Sequence, residues 1–227
     1  PSRLPELIEE IAAIPGVEWL RTLYCYPERV DDRLLDTIAK LPNVCNYLDL
    51  PMQHIAQHVL DDMNRTDTSE HIREVCEKFK ARGMMLRTTM MVGFPGETDE
   101  DFEELMDFVE KTRFDRMGAF TFSPEEGTVA ADMENQIDED VKQARYDALM
   151  TMQHQISLEQ NKARVGTTCR VLVEKKRGNR YVGRSEFEAP ETDGNIYFGS
   201  EEPCTVGEFV NVRITGAKAY DLMGERV

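Results

Sequence analysis

The chain has 227 residues, 41% hydrophobic and 31% charged, and its 43 acidic against 27 basic side chains give a net charge of −16. This is the composition of a globular protein, and its acidity argues against bare nucleic acid as the partner of the acidic part, since a negative surface repels phosphate. No apolar run approaches the ~20 residues of a membrane-spanning helix and no signal peptide is visible, so no membrane partner and a cytoplasmic location are expected.

The chain begins at Pro1 rather than Met, which suggests a segment cut from a longer protein. Residues 4–14 carry Leu4, Leu7, Ile8 and Ile11 at helical spacing, ended by Pro15-Gly16. A β-rich run over 19–26 (WLRTLYCY) stops at Pro27. Asp31 and Asp32 open a helix with Leu34, Leu35, Ile38 and Leu41, and residues 45–50 (CNYLDL) form the next strand. Short helices fit 55–63 and 69–82, followed by a strand over 85–92 (MLRTTMMV). Thr98 starts a helix whose buried stripe is Phe102, Leu105, Met106 and Val109. A strand over 117–122 and a long helix over 138–162 complete this part.

Strands alternating with helices predict an α/β fold with a parallel sheet or barrel over residues 1–163. Each strand runs into a polar or Gly/Pro loop (YPER, PMQH, GFPGE, SPEEGT), and ligands bind at that edge of parallel α/β folds. Tyr26, Gln53, Gly93 and Ser123 are therefore expected around one pocket mouth. Residues 164–227 change pattern to short apolar/polar alternations separated by GN, DG, GS and GE, which predicts a small all-β barrel of about five strands.

The charge is uneven. Residues 164–227 hold 10 basic and 10 acidic side chains, whereas 97–140 holds 16 acidic and 3 basic ones. That stretch is either a solvated helix face or a docking surface for a basic protein. The five cysteines, Cys25, Cys45, Cys76, Cys169 and Cys204, form no CxxC or CxxxCxxC, so neither a zinc ribbon nor an iron–sulfur cluster is held by this segment alone. Reduced thiols are expected.

The most specific string is Gly93-Phe94-Pro95-Gly96-Glu97-Thr98. Its glycines allow a ligand to approach the backbone, and the following helix offers free N–H groups to an anion; the alternative is an ordinary strand-to-helix turn. Gln53 and His54 lie just past a strand, as hydrogen-bonding groups for a ligand or as parts of a capped turn. His54 and His58 have metal-pair spacing but no third ligand, so no metal site is assigned. Arg65 either holds a carboxylate or neutralises a helix end, and Arg87, inside an apolar strand, requires a partner. Glu125 and Glu126 are adjacent carboxylates, suited to acid–base work, a solvated turn or contact with a basic partner.

Taken together, LYCYPERV, YLDLPMQH, VLDDMNR, MVGFPGET, FDRMGAFTFSPEEGT and YVGRSEFEAPETDG resemble the radical SAM methylthiotransferases, in order and spacing, over essentially the whole chain. Within that family the chain most resembles the branch acting on the β-carbon of an aspartate in small-subunit ribosomal protein S-twelve. The sister branch acts on tRNA adenosine; it typically has a serine-rich loop at Gln53-His54 and a basic residue at Glu125-Glu126.

The resemblance implies the last four strands of a radical SAM barrel followed by a TRAM domain. It implies S-adenosylmethionine as cofactor and two 4Fe-4S clusters in the parent protein, with ligands outside this chain, so the segment alone is expected to be inactive. Gln53, Arg65, Arg87, Gly93, Phe94, Pro95, Gly96 and Glu97 would face the cofactor. His54, Glu125 and Glu126 would face the basic substrate. A monomer is expected. The Lys175-Lys176-Arg177 turn with Arg180 is either a solvated hairpin tip or a ribosomal RNA contact. From a different class, the segment would be a non-catalytic ribosome-binding module.

Overall fold

A computed structural model describes residues 2–227. The chain separates into two compact units, Pro1–Gln153 and His154–Val227.

In the first unit, strands β1 (Leu20–Thr22), β2 (Val44–Asp49), β3 (Met85–Val92) and β4 (Arg116–Thr121) form one parallel sheet in the order β1-β2-β3-β4. The helices between and around them are α1 (Leu4–Ala12), α2 (Asp32–Lys40), α3 (Gln57–Asp62), α4 (Ser69–Ala81), α5 (Asp99–Thr112) and the start of α6 (Glu139–Ala163). Spatial order equals chain order; given the right-handed crossovers that parallel connections take, this order sets the connecting helices on one side of the sheet, as in a (β/α) barrel and unlike a doubly wound sheet. Burial along β3 alternates: Leu86, Thr88, Met90 and Val92 are buried, while Arg87, Thr89 and Met91 are half-buried. Met91 is in register with Phe120 of β4, which is 63% exposed.

The helices start where side chains satisfy free backbone N–H groups. Asp31 Oδ1 accepts from Leu34 N at 2.8 Å, and Thr68 Oγ1 accepts from His71 N at 3.1 Å. Thr98 and Asp101 form a reciprocal capping box at the start of α5, with the Thr98 N–H donating to Asp101 Oδ2 at 2.7 Å. The first strand is shorter than the β-rich run predicts. Tyr24 takes a left-handed backbone (φ 59°), which ends the extended run, and Cys25 N–H then donates to Asp49 O at 2.9 Å.

The second unit holds a closed barrel in the order β5-β6-β7-β9-β8. Its strands are β5 (Thr168–Arg177), β6 (Arg180–Arg184), β7 (Ile196–Gly199), β8 (Phe209–Ala217) and β9 (Leu222–Arg226), so the five-strand expectation holds. Val171, Val173, Tyr181, Ile196, Phe198, Val212, Ile214 and Leu222 fill the interior. Tyr181 and Phe198 stack with centroids 5.6 Å apart, and the Tyr181 hydroxyl accepts from Cys204 N at 3.1 Å. The SEFE stretch is tied down by buried Glu188, which pairs with Arg164 and accepts from Ser185 N at 2.9 Å. A side chain at Gly194 would strike the Tyr220 carbonyl. Among the described residues no helix is long and apolar enough to cross a membrane.

Phe198→Ala removes a fully buried ring from the barrel centre. The expected loss is about 3–5 kcal/mol, read as a lower urea midpoint for the barrel's unfolding; an unchanged midpoint would contradict this packing.

Candidate functional site

The four strands end along one edge, and backbone pairing continues into their loops. Gln53, with φ 71°, bridges to Met90: its N–H donates to Thr89 O at 2.9 Å, and Met91 N–H donates to Gln53 O at 2.7 Å. Phe122 N–H donates to Val92 O at 2.8 Å. The loops after β2, β3 and β4 are thus laced together where β3 runs into Gly93.

The Gly93–Thr98 loop is organised by its own carboxylate. Glu97 is buried; its Oε2 accepts from Gly93 N at 2.6 Å and from Phe94 N at 3.3 Å. Arg145 of α6 donates from Nη1 to Glu97 Oε1 at 2.8 Å, and from Nη2 to Asp99 Oδ1 at 2.7 Å. Burial raises the Glu97 carboxyl above its ordinary range, opposed first by the Arg145 charge and then by the two loop N–H groups. Gly93 has φ 73°, and a Cβ there would strike the stem of buried Lys142. The Lys142 ammonium donates to Glu139 Oε1 at 2.6 Å and lies 5.4 Å from the centre of the Phe122 ring. Phe94 is buried edge-on against Phe122, centroids 5.2 Å apart, beside Ala56 and Val59.

A second polar group gathers at the β1 and β2 ends. Arg65 Nη2 donates to Pro51 O at 2.7 Å, and its guanidinium lies 5.1 Å from the centre of the exposed Tyr26 ring. Arg65 Nε is buried without a hydrogen-bond partner. Asp67 Oδ2 sits 3.7 Å from Arg65 Nη2. Burial, and then the neighbouring Glu28 carboxylate, raise the Asp67 carboxyl.

The structure brings Gln53, Gly93, Phe94, Pro95, Gly96 and Glu97 to one edge, with Arg65 at the adjoining β1–β2 end. Arg87 lies further back, on the half-buried sheet face, where it donates to Asp49 Oδ1 at 3.1 Å. Two residues point otherwise than expected. His54, expected to face substrate, is 0% exposed; its Nδ1 accepts from Ala56 N at 3.0 Å, which puts the ring proton on Nε2, 3.7 Å from Glu97 Oε2. Glu97, expected to face the cofactor, has both oxygens taken by the protein. Each is turned inward to accept from backbone N–H groups of its own loop, His54 in the turn after β2 and Glu97 in the loop after β3. Glu125 and Glu126 are exposed in the turn after β4. Among the described residues no group of three or more His, Cys, Asp and Glu is placed to hold a metal, and the five cysteines are free. Burial pushes the Cys25 thiol up to about 11 and Cys76 up to about 12.

Sequence reading missed Lys142, Arg145 and Asp67. The only available signal was cationic side chains at 142 and 145, one turn apart in an otherwise acidic helix start.

Comparison with known proteins adds two family matches. Residues 1–109 match the radical SAM superfamily and residues 165–227 the TRAM domain. The chain is 47% identical over 228 residues to the ribosomal protein uS12 methylthiotransferase of Desulforamulus reducens, covering 98% of this chain and 51% of that protein. It is 49% identical to the enzyme of the same name from Desulfitobacterium hafniense, covering 99% and 51%. The chain therefore spans about half the length of the curated relatives it matches. Coproporphyrinogen III oxidase from Escherichia coli, a radical SAM enzyme, shares the fold with a TM-score of 0.54 and 14% identity, over 81% of this chain and 50% of that one.

Burial pulls the His54 imidazole down to about 4 from its ordinary 6.5. A depressed folded value means that stability is full above pH 6.5 and is lost as pH falls toward 4. His54→Asn keeps an acceptor for Ala56 N and removes the titration. The variant should lack an acid-side loss on the order of 3 kcal/mol that the unaltered chain shows between pH 7 and 4 in urea titrations; parallel curves would contradict a buried neutral imidazole.

Proposed function

The chain belongs to the radical SAM methylthiotransferase family, and from that premise we propose that its parent protein methylthiolates an aspartate β-carbon of ribosomal protein uS12. The observation that carries this reading is the strand-end edge where Gln53, the Gly93–Glu97 loop and Arg65 converge, in a chain nearly half identical to enzymes of that name along its length. The acidity of residues 97–140 and of exposed Glu125 and Glu126 supports a basic protein as substrate over tRNA.

The residues fit S-adenosylmethionine. Arg65 carries an orphaned Nε and a stacked, pre-oriented guanidinium suited to the cofactor's carboxylate. Gln53 offers a half-buried amide, and Gly96, at φ 86°, presents backbone without side-chain bulk to the adenosine beside Phe94 and Pro95, while Gly93 serves the site through the loop that it shapes. When bound, this cofactor supplies the methyl group and the means of removing hydrogen from an unactivated carbon. The chain's own residues orient and enclose it: Glu97 and Arg145 fix the Gly93–Thr98 loop, His54 fixes the turn after β2, and Arg87 with Asp49 sets the polarity of the half-buried sheet face.

The residues do not fit a 4Fe-4S cluster, since the cysteines are scattered and burial disfavours the thiolates of Cys25, Cys76 and Cys169. The clusters that the family implies draw their ligands from elsewhere in the parent, and this chain by itself is inactive. We place the domain boundary at 163/164, take the parent to be a cytoplasmic monomer, and read the exposed Lys175-Lys176-Arg177 end of β5 in the TRAM domain, with Arg180 opposite it at the start of β6, as its ribosomal RNA contact.

Mass spectrometry of uS12 incubated with the parent protein, S-adenosylmethionine, a sulfur source and a reductant should show one methylthio group on one aspartate. Unmodified uS12 with methylthiolated tRNA adenosine would overturn the assignment in favour of the sister activity. In the same protein Arg65→Met should weaken S-adenosylmethionine binding about tenfold or more by calorimetry, with Arg65→Lys between the two; unaltered binding would remove Arg65 from the site.

A further inference from the structure

Beside the Gly93–Thr98 loop, the first turns of α5 and α6 enclose an open groove of about 410 Å³, lined by Asp99, Phe102, Asp140, Val141, Ala144 and Arg145. Its floor is apolar: Phe102 is half-buried, Val141 is 39% exposed and Ala144 is exposed. The one cation in the lining is buried and committed, since the Arg145 guanidinium is held by Glu97 and Asp99 and lies 5.6 Å from the centre of the Phe102 ring. The rim is anionic. Asp99 is 88% exposed, Asp140 and Glu139 are exposed, and both helix starts lie in the stretch with 16 acidic and 3 basic residues. An apolar floor under an acidic rim is complementary to an aliphatic side chain flanked by cations.

We propose that this groove docks a basic protein segment, seating one aliphatic side chain on Phe102, Val141 and Ala144 while Lys or Arg neighbours meet Asp99 and Asp140. The inference rests on the reading of a basic protein substrate and adds where that substrate is gripped: next to the loop organised by Glu97, outside the cofactor's contacts. Phosphate-rich partners are disfavoured there by the same rim.

The test uses this chain, isotope-labelled, and a short Lys- and Arg-rich peptide with one central leucine. The Ala144 and Val141 methyl signals should shift on titration. Replacing the peptide's leucine by serine, and raising salt from about 50 to about 500 mM, should each weaken binding about tenfold. Ala144→Trp, which fills the groove, and Asp140→Lys, which reverses its rim, should each weaken binding about tenfold or more; both positions are exposed, so each variant reports on the other's folding. Binding unchanged in both variants would overturn the inference, as would an RNA oligonucleotide displacing the peptide. So would loss of peptide binding in the longer parent, which would mean that its own upstream residues cover the groove. If the parent carrying Ala144→Trp methylthiolates limiting uS12 at the unaltered rate, the groove falls and the function stands. If the unaltered parent leaves uS12 unmodified while the peptide still binds and Ala144→Trp abolishes that binding, the function falls and the groove stands.

Discussion

The buried carboxylate of Glu97 is the interaction on which the candidate site depends. An ionised carboxylate without water is tolerated only when its lone pairs are satisfied and its charge is opposed. Here Gly93 N, Phe94 N and Arg145 meet those needs, and in meeting them they fix the loop's path after β3. The glycine-rich string looks in sequence like a cradle for an external anion. In the fold that cradle already holds an anion belonging to the protein, so the loop is a shaped surface and not a phosphate nest. The neutral His54 ring closes the same interior from the β2 side, which is why its proton affinity is so low.

Much of the fold is legible in the sequence because two periodicities separate cleanly. Period-two alternation in FVNVRITGA becomes β8, with Val210, Val212 and Ile214 turned inward, and Thr98 with the acidic turn behind it becomes the capped start of α5, whereas the alternating burial of β3 is not written in its MLRTTMMV sequence. The β-rich run at 19–26 overreads because Tyr24 takes a left-handed backbone that no glycine announces. The last barrel strand, LMGER, does not stand out because a glycine, Gly224, takes its second inward position, yet it closes the barrel between β7 and β8.

The site is less legible than the fold. That the strand-end loops share one edge follows from parallel topology, which local sequence can reveal. That Arg145 neutralises Glu97 does not follow, because the two lie far apart in the chain and Arg145 reads locally as one more charge on a solvated helix. His54 and Glu97 carry the residue types of ligand-binding groups, but burial and pairing decide which way a side chain faces, and both are properties of the assembled unit. Arg87 is the reverse case: an arginine in an apolar strand signals a partner, and Asp49 on the adjacent strand supplies it.

Gly93 and Lys142 fit each other as a notch fits a key. The missing side chain of one is the space occupied by the hydrocarbon stem of the other, and the ammonium at its tip is anchored outward on Glu139. The six-residue string is therefore not a portable module. Grafted onto another strand-to-helix junction it would arrive with an unfilled notch and an uncompensated negative charge. Shortening Lys142 would not by itself admit a side chain at the notch, because Gly93 also holds φ 73°; backbone and helix demand the glycine together.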